Sequence, residues 1–124
     1  MKIILLADDF VKFYYESVDT DPVRLAHLYC DSSMLTYENE KEPFYGKDAI
    51  IKKLCDQRLA FQRVAHVRNT ITAQPANGGA LILVTGTVMF DEERPVNYVQ
   101  TFQLLPDGQG NVFVLNDIFK LIFG

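Results

Sequence analysis

The chain has no tryptophan, only two cysteines and only two histidines among its 124 residues. Cys30 and Cys55 lack any C-x-x-C spacing, which excludes a disulfide framework and a cysteine-based metal site. They are expected to be reduced thiols packed as small buried hydrophobes. A Gly-rich phosphate loop, a metal-spaced His/Cys/Asp set and a local Ser/His/Asp signature are all missing, so no cofactor is expected. No apolar run approaches a membrane span. Met1 to Leu6 looks like the start of a signal peptide, but Asp8 and Asp9 cut it short and no small-residue cleavage site follows. A soluble, intracellular protein is expected. The net charge of −4 disfavours nucleic acid and acidic membrane and favours a basic partner. Lys52, Lys53 and Arg58 read as a solvated helix face, because no basic stripe with interleaved aromatics accompanies them.

What the chain does have is helix first and strand afterwards. Its length suits one domain, 1–124, with a real core. From Ile3 to about Val18 the residues Ile3, Leu6, Phe10, Phe13, Tyr14 and Val18 recur at helical spacing, broadened by Val11 and Tyr15. Asp21-Pro22 ends that helix and opens a short second one from Val23 to Tyr29. A brief strand, Met34 to Tyr37, and a polar loop, Glu38 to Tyr45, lead to a third helix from Gly46 to about Gln57. Its Ile50, Ile51 and Leu54 are expected inward, with Lys47, Lys52 and Lys53 wet. Four long strands follow. Asn77-Gly78 is the strongest hairpin signal, and Gly86 within a strand marks a bulge or bend. The last two strands, from Val96 and from Val112, lack a wholly polar face, so both of their faces are expected to be covered. The class is α+β, a curved sheet wrapped around helices.

Convergent polar groups are few. His66, Asp117, Tyr14, Tyr15 and Tyr37 could supply an Asp base and a Tyr donor for proton transfer beside a carbonyl. The simpler reading is preferred: Asp117 and His66 satisfy each other, or backbone groups, at a sheet surface. A second pattern points elsewhere. Tyr15, Tyr37, Leu59, Phe61, Phe90 and Phe119 form an apolar surplus expected near the mouth of a cone. Burying one partner Phe there would supply about 1.5–3 kcal/mol. Asp91-Glu92-Glu93 and Glu38 lie on neighbouring loops, where acids would orient a basic partner.

The residues Phe10-Val-Lys-Phe-Tyr-Tyr, Ser33-Met-Leu-Thr-Tyr-Glu38, Gly46-Lys-Asp-Ala-Ile, Phe61-Gln-Arg-Val-Ala-His66, Asp91-Glu-Glu, Gln100-Thr-Phe and Asn116-Asp-Ile-Phe-Lys-Leu121 stand in one order across the chain. In this the chain resembles the nuclear transport factor 2 family. The resemblance implies a cone-shaped fold and a homodimer formed through the sheets. It also implies a non-enzymatic carrier of GDP-bound Ran that binds Phe-Gly nucleoporin repeats and works in cytoplasm and nucleus. An acidic rim would comprise Glu38, Asp91 and Glu93. The socket would be lined by Tyr37, Leu59, Phe61, Val64, Val88, Phe90 and Phe119. Two positions depart from the family pattern, each a tryptophan there. Tyr37 precedes the rim glutamate, and Ile3 occupies the pore-repeat site, which is therefore expected as an aliphatic patch at Ile3 and Ile4.

Three readings are ordered by these features. The carrier comes first, favoured by Asp91-Glu-Glu, Ser33-Met-Leu-Thr and a chain ending soon after Leu121. A domain of the stress-granule scaffold or mRNA-export branch, docking Phe-containing peptides, comes second and is favoured by Gln100-Thr-Phe and Glu42-Pro43-Phe44. An isomerase- or dehydratase-type enzyme comes third.

Overall fold

The computed structural model describes residues 2–38 and 40–123, with side chains from residue 6 onward. Helix α1 (Lys2–Thr20) is followed by a 3-10 helix (Pro22–Leu28), strands β1 (Tyr29–Tyr37) and β2 (Phe44–Tyr45), helix α2 (Lys47–Leu59), and strands β3 (Val64–Ala76), β4 (Gly79–Phe90), β5 (Val96–Pro106) and β6 (Val112–Ile122). The strands form one curved sheet in the order β2-β1-β6-β5-β4-β3. All neighbours are antiparallel except β1 and β6, which run parallel.

Local chemistry sets the boundaries. The Asp21 carboxylate accepts from the Val23 amide, and Pro22 supplies the preset first turn of the 3-10 helix. On α1 the described stripe Ala7, Phe10, Val11, Tyr14 and Tyr15 is buried. Phe10 and Tyr14 both meet Phe102 edge-on, with centroids at 4.9 and 4.8 Å. The facing row of β5 is Tyr98, Gln100, Phe102 and Leu104, every member buried.

The β3–β4 turn has the geometry its sequence requires. Asn77 and Gly78 have φ of 51° and 83°, the paired positive values of a two-residue type I′ turn. A Cβ on Gly78 would reach only ordinary contact, 3.4 Å from Pro106, so the cost of Gly78→Ala is conformational. Urea unfolding should show a loss of about 1 kcal/mol; no loss would mean that the turn does not set the register. Gly86 is required for a different reason. A Cβ there would stand 2.1 Å from the Val67 carbonyl oxygen, so the neighbouring strand's backbone occupies the space. The irregularity itself lies on β3, between Arg68 and Thr70.

Several expectations are corrected. β1 begins at Tyr29 rather than Met34, and the loop before α2 contains the short β2. A register shift between Gln103 and Leu104 skips Leu115, so Val114 and Asp117 both face inward and strict alternation on β6 fails. Lys53 is not wet; only 16 % of its side chain is exposed. Arg58 is no free surface cation: its guanidinium donates to the carbonyls of Asp19, Phe61 and Gln62. Cys30 and Cys55 are free but partly exposed rather than core residues.

The sheet face turned away from the helices carries exposed apolar side chains. Leu83, Thr101, Ile118 and Thr36 form one row across β4, β5, β6 and β1, and Leu81, Gln103, Asn116 and Met34 form the next. Leu81, Leu83 and Ile118 are each more than 40 % exposed. This face explains why the last strands lacked a polar side: their apolar residues point two ways.

Candidate binding mouth

Where the strands curve past the end of α2, the cone opens. An outer recess of about 540 Å³ is lined by Tyr37, Phe61, Phe90, Val96 and Leu121 with Glu38, Glu40, Glu93 and Lys53 around them. Beneath it lies an inner cavity of about 20 Å³, whose lining includes Tyr14, Val64, His66, Gln100 and Phe119. That volume has room for about one water molecule.

Two aromatic pairs frame the opening. Tyr37 stacks on Phe119 at 4.8 Å and 16°, and Phe61 tilts against Phe90 at 4.7 Å. Phe119 also stacks on Tyr98 at 5.5 Å and receives the edge of His66 at 6.0 Å. It lines the inner cavity beneath the recess. Of the residues read as socket, Tyr37, Val64, Phe90 and Phe119 line the inner cavity, and Tyr37, Phe61 and Phe90 line the recess. Val88 is fully buried and lines neither space, whereas Leu59 is 81 % exposed and also lines neither.

The three acids read as a rim are not equivalent: Glu38 and Glu93 line the recess, whereas Asp91 does not. Asp91 Oδ1 accepts from the amides of Gln62 and Arg63, at 2.7 and 2.9 Å. Glu38 Oε2 accepts from the Leu121 amide at 3.1 Å, while the Glu38 carbonyl accepts from Lys120. Both residues hold positive φ, 55° and 50°. Aspartate tolerates that conformation through local hydrogen bonds; for glutamate it is a strain held by the ties just named. Glu93 is exposed, and its side chain has no hydrogen bond among the described residues.

Ile3 and Ile4, read as a pore-repeat patch, have side chains outside the described residues. Sequence reasoning missed Glu40, Gln57 and Lys53, which the fold brings to the recess. Helical spacing could have placed Lys53 one turn before Gln57, but nothing local indicated that Glu40 would return to meet it.

Of the polar groups considered for proton transfer, Asp117, Tyr14 and Tyr15 share one network through Gln100, and His66 pairs with Asp19. His66 Nδ1 lies 2.6 Å from Asp19 Oδ1, and the His66 amide donates to Asp19 Oδ2. Asp117 is buried within the cone, not at a sheet surface, and does not pair with His66. Its Oδ2 accepts from the Tyr29 hydroxyl at 2.8 Å and its Oδ1 from Gln100 Nε2 at 2.8 Å. Gln100 in turn accepts from the Tyr15 hydroxyl at 2.7 Å and donates to the Tyr14 hydroxyl at 3.2 Å. Burial raises Tyr14, Tyr15 and Tyr29 well above the ordinary tyrosine value and pushes Asp117 up to about 6. Among the described residues, no cluster of three His, Cys, Asp or Glu could hold a metal, and no helix is long and apolar enough to cross a membrane.

A curved sheet over helices, open at one end into an aromatic recess edged with carboxylates, defines a cone-shaped α+β domain. Residues 6–121 match the model of the nuclear transport factor 2 (NTF2) domain. The chain is 50 % identical over 121 residues to nuclear transport factor 2 of Emericella nidulans, covering 95 % of this chain and 94 % of that one. Its structure resembles nuclear transport factor 2 from Cryptosporidium parvum with a TM-score of 0.88 at 34 % identity, covering 98 % and 95 % of the two chains. It also resembles the yeast UBP3-associated protein BRE5, with a TM-score of 0.83 at 29 % identity over 94 % and 93 %. The chain belongs to the nuclear transport factor 2 family.

Proposed function

We propose that residues 1–124 form one such domain, acting as a non-enzymatic carrier of nuclear transport. It works as a homodimer that binds GDP-bound Ran and Phe-Gly nucleoporin repeats and moves between cytoplasm and nucleus. One observation carries the reading: the recess combines two aromatic pairs with an incomplete ring of carboxylates. An apolar anchor of the partner fills such a recess while the rim charges orient its basic groups. The acids assigned are Glu38, Asp91 and Glu93, and the walls are Tyr37, Phe61, Val64, Phe90 and Phe119. Val88 supports the wall from behind, and Leu59 offers an outer contact. Ile3 and Ile4 are proposed for the repeats. The apolar rows on the outer face of the sheet support the homodimer.

Calorimetric titration with Ran tests the reading, once with GDP and once with a GTP analogue bound. Binding confined to the GDP form is expected; no binding to either would overturn it. Glu93→Lys should weaken GDP-Ran binding roughly tenfold or more without moving the melting temperature, because this carboxylate supports nothing inside the fold. Glu38→Lys is the harsher variant and also releases the Leu121 amide.

A second reading, a scaffold-branch module that docks Phe-containing peptides, is favoured by the likeness to BRE5. Binding of such peptides by a protein that ignores Ran would select it.

A further inference from the structure

The outer face of the sheet carries two carboxamides amid its apolar rows. No side chain in the two rows is charged, and Leu81, Leu83 and Ile118 stand at 43 %, 42 % and 46 % exposure. Gln103 and Asn116 lie on β5 and β6, the two middle strands of the six. They are directly opposed in the ladder, and Asn116 Nδ2 donates to Gln103 Oε1 at 2.9 Å. With Met34, Leu81 and Ile118 they border a shallow depression of about 250 Å³.

One hydrogen bond does not satisfy two carboxamides. Each offers two N–H donors and an acceptor oxygen, so the Gln103 amide nitrogen and the Asn116 carbonyl oxygen have no protein partner among the described residues. Both side chains are partly exposed, and water serves these atoms while the face is open. Covered by a purely apolar surface, they would be desolvated and left unpaired, which weakens such a complex. A second copy of the chain supplies what is missing. A two-fold axis passing between the two residues, perpendicular to the sheet, sets Gln103 of one protomer over Asn116 of the other, donor against acceptor, and repeats the pairing on the far side. Turning both carboxamides over leaves one nitrogen and one oxygen to be paired as before, so the set is self-complementary either way. An axis at this central position also lays the apolar rows of the two copies on each other.

We infer that the Gln103–Asn116 carboxamide pair is the specificity device of the sheet face, selecting a second copy of this chain in one two-fold register over other apolar surfaces. The inference rests on the homodimer reading. It adds which residues choose the partner and fix its orientation.

The test compares wild type, Gln103→Leu, Asn116→Leu and the double variant by sedimentation equilibrium, with mixed dimers followed by native mass spectrometry of subunit exchange. Each single variant sets a leucine against a carboxamide twice per dimer, and its dissociation constant should rise at least about thirtyfold. The double variant sets leucine against leucine; it should dimerise about as tightly as wild type yet exchange poorly with it. The decisive sample mixes the two single variants. In that mixed dimer one position across the axis holds leucine against leucine and the other Gln103 against Asn116. It should therefore form at least about tenfold more tightly than either single-variant homodimer. A pair that acts only within its own protomer is broken in both subunits of the mixture and gives no such rescue. A mixed dimer no tighter than the single-variant homodimers, or single variants as tight as wild type, overturns this inference and spares the homodimer. Wild type that stays monomeric throughout removes the homodimer reading and this inference with it.

Discussion

Phe119→Ala should cost about 3–5 kcal/mol of folding stability, the upper range for removing a buried aromatic side chain. Phe119 is 2 % exposed and lines the inner cavity. Its ring stacks on Tyr37 and on Tyr98 and takes the edge of His66. Removing it takes a shared partner from three rings at once, in a place where β5, β6 and β1 leave the backbone little freedom to collapse. The Phe119 carbonyl also accepts from the Glu38 amide at 2.8 Å, so any backbone relaxation would disturb the strained glutamate of the rim. Phe119→Leu keeps apolar volume but loses the stacking, and should cost about 1–1.5 kcal/mol. Urea unfolding followed by far-UV circular dichroism at fixed protein concentration measures both, since association makes apparent stability concentration-dependent. A cost for Phe119→Ala below that of Phe119→Leu would show that the ring does not support the packing around the inner cavity.

The second large effect is a pH dependence carried by Asp117. Burial pushes its carboxyl from 3.8 up to about 6. The folded protein therefore keeps this proton over a range in which the unfolded chain has already released it. By linkage, folding takes up a proton there, so the contribution of Asp117 to stability falls as pH rises from about 3.8 to about 6. Above that window the ionised carboxylate costs its full amount, about 3 kcal/mol. Asp117→Asn removes the titration. Its Oδ1 can still accept from Gln100, while the amide nitrogen faces the Tyr29 hydroxyl, which must turn to accept. Unfolding at several values from pH 4 to pH 7 should show wild type losing about 2.5 kcal/mol relative to the variant across that range. Curves that run parallel would place the carboxyl's titration outside the window.

The strands and helices were legible because their signals are local. Apolar spacing marks α1, Asn77-Gly78 dictates a turn from its own backbone preferences, and the period of two marks β4 and β5. The first half of β1 was not legible. Its Cys30-Asp31-Ser32-Ser33 lies in the register shift between the Tyr29–Val114 and Met34–Asn116 pairs, without a partner on β6, and the Cys30 amide donates to Ser33 Oγ. The bulge at Leu115 was equally hidden, since an extra residue in a strand leaves no trace in composition. For the site, the family resemblance named residues that the fold gathers around the recess, such as Tyr37, Phe61, Phe90 and Glu93. Pairings between distant residues were beyond the sequence. His66 finds Asp19, Asp117 finds Tyr29 and Gln100, and Lys53 finds Glu40, each across a separation that no periodicity spans.

The parallel pairing of β1 with β6 has a consequence for how the molecule is made. Tyr29 lies opposite Val114 and Tyr37 opposite Phe119, so a strand synthesised early has no long neighbour until β6 has left the ribosome. Hairpins β3–β4 and β4–β5 can form as they emerge, because their contacts are short-range. β1 must wait with open backbone groups, alongside a helix whose apolar stripe is also unmatched. For this chain the cone can close only once β6 has been made.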